Sequence, residues 1–362
     1  MTRFALNGRF LTQALTGVQR FATELTAAMD ALAGEGAWPT TRVLVPRGTA
    51  APPALRHLEV AEVGRLRGQA WEQAELPRAA RGAFLLNLGN TAPILAGRHQ
   101  AVVIHDAGVF DTPESYSLPF RAWYRLLHRA LARSGARIVT VSEFSRARIA
   151  ARLGLDPARI GVMPEGAEHI LRAPADAAVL ARHRLTPRRY ALAVGSRAAH
   201  KNLDALRGAA ALLASRGLVL AAVGAADPAV FRPAAGAEGE GAVALGRVGD
   251  AELRALYENA LCLVFPSRYE GFGLPPVEAM LCGCPVLAAR SGAVPEICGD
   301  AALWFDAADP GSLAAALRRL LDEPGLAETL RAHGLARAQS FTWRRAAETL
   351  LRLLAPEGPA PR

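Results

Sequence analysis

Residues 261–290 read LCLVFPSRYEGFGLPPVEAMLCGCPVLAAR, and their order decides the fold. The apolar run Leu261 to Phe265 has the length of one buried strand, and Pro266-Ser267 ends it. A loop follows with Glu270, Gly271, Gly273, Pro275 and Pro276. Proline suits the first turn of a helix, where a missing N–H costs nothing. A helix is therefore expected from about Pro275, carrying Glu278 and stopping near Gly283. Pro285 to Ala289 is the next strand. Strand, loop, helix and strand in this order make a parallel sheet. Ligands of such sheets sit beyond the carboxyl ends of the strands.

The loop has a chemistry of its own. Gly271 and Gly273 allow close approach of the backbone to a ligand. The helix start behind them suits phosphate. Glu270 and Glu278 flank that anion site, and carboxylates accept hydrogen bonds from hydroxyls. Hydroxyl binders on both sides of a diphosphate binder describe a nucleotide-sugar, although two glutamates at this spacing also arise by chance.

The stretch EGFGLPPVEA resembles the E-x7-E signature of the retaining glycosyltransferases of family four, which have the GT-B fold. The resemblance runs over almost the whole chain with its motifs in order. It implies an α/β chain of two Rossmann-like domains facing across a cleft. It also implies that Glu270 contacts the transferred sugar, that Glu278 holds the ribose, and that the backbone at Phe272, Gly273 and Leu274 meets sugar and phosphate.

Composition agrees with two domains. The chain has 362 residues, 51% of them hydrophobic. Of its 42 basic residues only Lys201 is lysine, which draws attention to that position. The formal net charge is +9; residues 1–172 hold 21 arginines against 14 acidic residues, so most of the excess lies in the first half. No nucleic-acid module is recognisable, and an anionic membrane surface or a phosphorylated lipid is the better partner for this charge. Cys262, Cys282, Cys284 and Cys298 lie mostly in apolar runs without a C-x-x-C pair and read as free buried thiols. Met1 to Phe4 leads straight into a strand-like segment, and no apolar stretch is long enough to span a bilayer. The expected location is cytoplasmic, with peripheral contact to the inner face of the membrane.

Taken in order, Phe4 to Asn7 reads as the first strand, and a helix over Gln19 to Leu32 follows Gly17, which could let an anion or an acceptor approach. Strands are expected over 43–45, 83–86 and 101–104. Asn90 sits in a polar loop and is a candidate acceptor contact. His105 ends a buried strand, and the resemblance gives it contact with the donor sugar. Phe120 to Arg133 reads as an amphipathic helix with Phe120, Trp123, Leu126, Leu127 and Leu131 on one face. Eight arginines and one acidic residue between Pro119 and Arg152 suggest a membrane-surface element. Ser142 caps the next helix. Glu165-Gly166 stands where relatives often have Asn-Gly.

The expected domains are 1–172 for the acceptor and 173–342 for the nucleotide-sugar, with a helix over 343–354 crossing back to the first and a disordered tail over 355–362. Tyr190 to Val194 opens the second domain. Ser196, Arg197, His200 and Lys201 form the turn after it, where basic groups invite diphosphate, and a helix is expected from Asn202. Relatives commonly place an arginine where this chain has His200; Arg197 could supply that charge. Residues 225–240 read as loop and Asp250 as the N-cap of a helix after Val248, and the resemblance implies that the Val248 backbone meets the base.

These readings describe an enzyme that moves a hexose, with mannose from GDP-mannose as first choice, onto a saccharide or lipid-linked acceptor in bacterial surface polysaccharide assembly. The H-K-N-L and HDAGVF segments resemble bacterial mannosyltransferases of that process. The donor is a substrate, no cofactor is expected, and with no Asp-x-Asp no metal is expected. A UDP-sugar or dTDP-rhamnose donor, a non-catalytic nucleotide-sugar binder and a sugar-nucleotide epimerase are the alternatives. A nicotinamide oxidoreductase would need G-x-G-x-x-G after a first strand, and neither Asn7-Gly8 nor Gly195-Ser196 begins one.

Overall fold

In the computed structural model, residues 3–49, 55–195, 198–224, 232–233 and 242–355 are described. The chain divides into two compact units: residues up to Gly166 together with those from Thr342, and Ala167–Phe341.

In the first unit, seven short strands pair in parallel: β1 (Phe4–Asn7), β2 (Thr41–Pro46), β3 (Glu59–Val63), β4 (Phe84–Asn87), β5 (Gln100–Val103), β6 (Arg137–Thr140) and β7 (Ile160–Val162), in the order β3-β2-β1-β4-β5-β6-β7. β1 is buried at all four positions, as are β4's last three and all of β5. A parallel sheet covered on both faces requires such continuous apolar runs instead of alternation. Leu6 faces Val43 on one side and Leu86 on the other. The strand order reverses between β1 and β4, the place where an open α/β sheet leaves a crevice for ligand.

Helix α1 (Gly17–Gly34) buries Phe21, Leu25, Met29 and Leu32, a stripe at helical spacing. Helix α2 (Leu118–Arg133) departs from the expected single apolar face. Leu127 and Leu131 are buried, whereas Leu118, Phe120 and Leu126 are 68%, 40% and 59% exposed. Leu126 and Leu127 are adjacent, 100° apart on the helix, so one stripe cannot hold both. Helix α3 (Glu143–Leu153) begins at Ser142, whose hydroxyl accepts from the Ser145 N–H at 3.0 Å, as read from the sequence. A helical run built of Gly68–Ala70, Trp71–Glu75 and Leu76–Ala79 had no counterpart in the sequence reading; it buries Trp71 and Glu72.

The second unit repeats the plan with β8 (Tyr190–Gly195), β9 (Val219–Gly224), β10 (Arg232–Pro233), β11 (Ala242–Gly246), β12 (Cys262–Phe265), β13 (Val286–Ala289) and β14 (Ala302–Phe305). Their order is β10-β11-β9-β8-β12-β13-β14, which reverses between β8 and β12. Helix α4 spans Leu206–Ser215, four residues later than expected, because Asn202 adopts a left-handed conformation (φ 53°) and only a short 3-10 turn, Leu203–Ala205, precedes the α-helix. Helix α5 (Asp250–Asn259) is capped at Gly249, not Asp250; the Glu252 carboxylate reaches back to the Gly249 N–H at 3.1 Å. Helices α6 (Leu274–Leu281), α7 (Pro310–Asp322) and α8 (Leu326–Ala338) also belong to this unit.

The unit starts at Ala167 and not at 173, because 167–172 packs within it: Arg254 Nη1 donates to the Leu171 carbonyl at 3.0 Å. Helix α9 (Trp343–Leu354) lies in the first unit. Trp343, Ala346, Ala347 and Leu350 are buried there, with the Trp343 ring 5.8 Å from that of Phe21. The expectations for residues 225–231, 234–240 and 356–362 lie outside the described residues.

Candidate active site

The second unit gathers its charged groups at its strand-order reversal. The turn after β8 and the loop after β12 leave from neighbouring strands, and three contacts join them. The Arg268 N–H donates to the His200 carbonyl at 2.7 Å. The Asn202 amide donates to the Pro266 carbonyl at 3.1 Å and lies 3.4 Å from that of Ala307. Lys201 Nζ then stands 2.7 Å from Glu270 Oε1, both side chains largely buried. A positive and a negative group are thus fixed side by side where a parallel sheet receives its ligand.

A third loop holds Glu270 by its backbone. The Ala293 N–H donates to the Glu270 carbonyl at 3.1 Å, and the Ser291 hydroxyl donates to the Ser267 carbonyl. Between them Gly292 has φ 58°, and a Cβ there would lie 2.6 Å from the Glu270 nitrogen and 2.7 Å from its oxygen. Only glycine meets both demands.

Helix α6 starts from Gly273, whose φ of 107° again needs glycine. Pro275 and Pro276 have no N–H, which leaves Gly273 and Leu274 as donors at the helix start. The Phe272 ring is buried edge-on against Phe341 with centroids 5.6 Å apart, so at this position the backbone is what a ligand could meet.

Glu278, one turn into α6, is 6% exposed. Its Oε1 lies 3.0 Å from His169 Nε2, and its Oε2 accepts from the Tyr257 hydroxyl at 3.1 Å. Burial, and then the Glu278 charge, push the Tyr257 phenol well above its ordinary value, so it stays a donor. Neither partner was evident from the sequence, since His169 is 109 residues away and Tyr257 is 21. Val248 is half-buried between β11 and α5. Ser196 and Arg197 lie outside the described residues.

In the first unit, His105 follows β5 and is 6% exposed. Its Nδ1 is 3.3 Å from Glu165 Oε1 and its Nε2 is 3.1 Å from the Leu88 carbonyl, while the Phe21 ring stands edge-on at 4.5 Å. Both ring nitrogens therefore face oxygen acceptors. Asn90 organises this corner: its Oδ1 accepts from the His105 N–H at 2.7 Å, and its carbonyl accepts from His128 Nε2 at 2.9 Å. Its side-chain oxygen is thus committed to the loop. Gly17 opens α1 with free space around it, since an added Cβ would meet nothing within 4 Å.

Cys262, Cys284 and Cys298 are buried free thiols, as read from the sequence, whereas Cys282 is half-buried. Burial pushes Cys284 and Cys298 up to about 12, which keeps them protonated and unreactive. No helix among the described residues is long and apolar enough to cross a membrane.

Residues 76–169 match the Glycosyltransferase Family 4 description, and residues 188–323 match Glycosyl transferases group 1. The O-antigen chain mannosyltransferase B of Escherichia coli is 35% identical over 251 residues, 66% of this chain and 65% of that protein. The MMP alpha-(1->4)-mannosyltransferase of Mycolicibacterium hassiacum is 44% identical over 100 residues, 26% of this chain and 24% of its own. The chain thus spans just under two thirds of the first relative and about a quarter of the second. Among solved structures, the sucrose-phosphate synthase of Thermosynechococcus elongatus superposes with a TM-score of 0.72 at 20% identity, covering 98% of both chains. WaaG, a glycosyltransferase involved in lipopolysaccharide biosynthesis, superposes with 0.69 at 15% identity, covering 98% of this chain and all of its own. The fold is GT-B, two Rossmann-like domains.

Proposed function

We propose that this chain, which belongs to the family 4 glycosyltransferases, moves mannose from GDP-mannose to a saccharide or lipid-linked acceptor with retention of anomeric configuration and without a metal ion. The observation that carries the reading is the Lys201–Glu270 pair at 2.7 Å beside the start of α6. The name of the first relative, an O-antigen chain mannosyltransferase, supports mannose and a place in surface polysaccharide assembly.

The chemistry follows from charge. Glycosyl transfer passes through an oxocarbenium-like state, positive at the anomeric carbon, as negative charge collects on the departing diphosphate. Lys201 and the N–H groups of Gly273 and Leu274 stabilise that diphosphate, a contribution of about 3 kcal/mol per well-placed donor. Glu270 accepts hydrogen bonds from the sugar and holds it for reaction. Glu278, held by Tyr257 and His169, retains lone pairs for ribose hydroxyls. The acceptor attacks from the face the diphosphate leaves, with the leaving phosphate taking its proton, so no side-chain nucleophile is required. The acceptor belongs to the first unit. Its helix α2 sets exposed Leu118 and Leu126 beside exposed Arg129 and Arg133, a combination suited to peripheral contact with an anionic membrane.

A thermal-shift panel of GDP, UDP, dTDP and ADP tests the donor. Selective stabilisation by GDP, followed by release of GDP from GDP-mannose in the presence of a saccharide acceptor, is the expected result. Selective stabilisation by UDP or dTDP transfers the reading to those donors, and an inverted product anomer overturns the retaining mechanism. Nucleotide binding with no turnover in either the native chain or Glu270→Ala would identify a non-catalytic binder.

A further inference from the structure

We propose that the first unit carries an anion-binding subsite at the carboxyl ends of β1 and β2, formed by Arg9, Arg47 and Arg67, that takes a phosphate or diphosphate group of the acceptor. Its assignment to the acceptor rests on the glycosyltransferase reading above; the anion site itself does not.

β1 and β4 flank the strand-order reversal of this unit, and their last residues meet across it, with Asn7 Nδ2 donating to Asn87 Oδ1 at 3.0 Å. Above them lies a buried polar cluster. Asn7 Nδ2 donates to Glu72 Oε1 at 2.6 Å, and the Thr91 hydroxyl donates to the same oxygen at 2.9 Å. Arg9 is 8% exposed; its Nε is 3.3 Å from Glu72 Oε1, and its Nη2 donates to Thr91 Oγ1 at 2.7 Å. With its amide turned, Gln69 donates to Glu72 Oε2 at 3.0 Å and accepts from Arg9 Nη2 at 3.3 Å. Glu72 is 1% exposed, so the carboxylate of the cluster is enclosed by donors and does not face solvent.

Such a cluster fixes a guanidinium in one orientation. A stable fold does not need it, since replacing a buried ion pair by apolar side chains is often neutral or stabilising. Arg9, held by this cluster, also lines a cavity of about 570 Å³. Arg47, Arg67, Thr12, Gln13 and Thr49 also line it. Arg47 and Arg67 are exposed, and among the described residues neither side chain makes a hydrogen bond or an ion pair. The cavity is therefore lined by three arginines and by no acidic residue, at the carboxyl ends of β1 and β2. Guanidinium groups match phosphate oxygens in bidentate geometry, and the volume is ample for a phosphate with a sugar ring attached.

The test titrates inorganic pyrophosphate into the full chain carrying Lys201→Ala, which removes the lysine of the other phosphate site, with and without Arg47→Ala and Arg67→Ala together. The two arginines are exposed, so an unchanged thermal midpoint is expected. Loss of at least about tenfold in pyrophosphate affinity is the expected result, with partial recovery in Arg47→Lys/Arg67→Lys; affinities within twofold of each other overturn the site. In chains with Lys201 intact, the paired alanines should raise KM about tenfold for a phosphorylated saccharide and leave KM for a neutral saccharide unchanged. Equal KM changes for both overturn the acceptor assignment. A soluble saccharide diphosphate and a prenyl-diphosphate-linked saccharide in vesicles form separate arms, and the arm that responds identifies the source of the group. If no sugar is transferred but pyrophosphate still follows the arginines, the anion site stands and the transferase reading falls; transfer with arginine-independent anion binding gives the reverse.

Discussion

Lys201 Nζ stands 2.7 Å from Glu270 Oε1, which sets the chain's single lysine against the first glutamate of the EGFGLPPVEA loop. The two residues come from loops after adjacent strands and are brought together by the backbone contacts of Arg268 and the side chain of Asn202. A donor diphosphate at this point must share Lys201 with Glu270, so the pair is a pre-set clamp, not a stabilising bridge. Lys201→Ala and Glu270→Ala should each lower kcat/KM at least about 100-fold. Both side chains are largely buried, so removing either leaves the other charge without its partner and should also cost about 1–3 kcal/mol of stability. Steady-state transfer assays beside thermal melts decide it; a large loss of stability with modest loss of turnover would return the pair to a structural role.

Gly292 tests how far Glu270 depends on its neighbouring loop. Gly292→Ala places a methyl group 2.6 Å from the Glu270 nitrogen in a conformation that already disfavours side chains. Displacement of Glu270 by roughly an ångström should cost about 100-fold in turnover. Gly283→Ala is the control: its φ is 64°, but its Cβ would meet only the Arg331 side chain at 3.6 Å. That substitution should cost about 1 kcal/mol of backbone strain and leave turnover intact. Equal losses of turnover in the two variants would remove the positioning role of Gly292.

Tyr257→Phe should act on donor binding. The phenol is fully buried and donates to Glu278 Oε2, so its loss leaves a buried carboxylate oxygen without that partner. A rise of about tenfold in donor KM is expected, with a smaller change in kcat. If Glu278 serves only the fold, the melting temperature falls and KM does not move.

His128 gives the chain a pH dependence of known sign. Burial lowers it to about 4 from an ordinary 6.5, partly opposed by its hydrogen bond to the Asn90 carbonyl. The unfolded chain therefore binds this proton first as pH falls. The stability is fully present above pH 6.5 and is lost between 6.5 and about 4, by up to about 3 kcal/mol in total. His128→Gln should flatten the melting-temperature profile of the first unit across that window. An unchanged slope would mean that His128 does not control it.

Sequence and structure agree where the information is local. The strand ends, Gly273, the Ser142 cap and the run of α9 all follow from residue order, because turn and helix rules act over a few positions. What escaped detection is tertiary. Asn202 breaks the expected helix because its amide is needed at the Pro266 carbonyl. Gly292 is one glycine among 33 until the Glu270 backbone is placed against it. Leu118, Phe120 and Leu126 could not be assigned to the outer side of α2 from spacing alone, since an apolar residue at the right period is normally core. Helix 68–79 carries the buried Glu72, a residue type whose burial no local pattern announces.

The seat of α9 yields the last prediction. Gly161 and Gly166 lie beneath this helix. A Cβ on Gly166 would fall on the Trp343 backbone nitrogen and 2.6 Å from the Thr342 carbonyl carbon, and one on Gly161 would lie 2.8 Å from Leu353 Cδ1. The two clashes differ in kind, because Leu353 can move its side chain while the Trp343 backbone is fixed at the helix start by the Thr342 cap on the Arg345 N–H. Gly166→Ala should therefore destabilise the first unit by about 3 kcal/mol, at the upper end for an overpacked core, and Gly161→Ala by about 1 kcal/mol. Trp343, Ala347 and Leu350 lose their burial if the helix is displaced, so hydrogen exchange should rise across α1 and α9 together in Gly166→Ala. The second unit should keep its own exchange pattern, since Ala167–Phe341 forms its own sheet and core. Protection lost equally in both units would show that α9 supports more than the first unit alone.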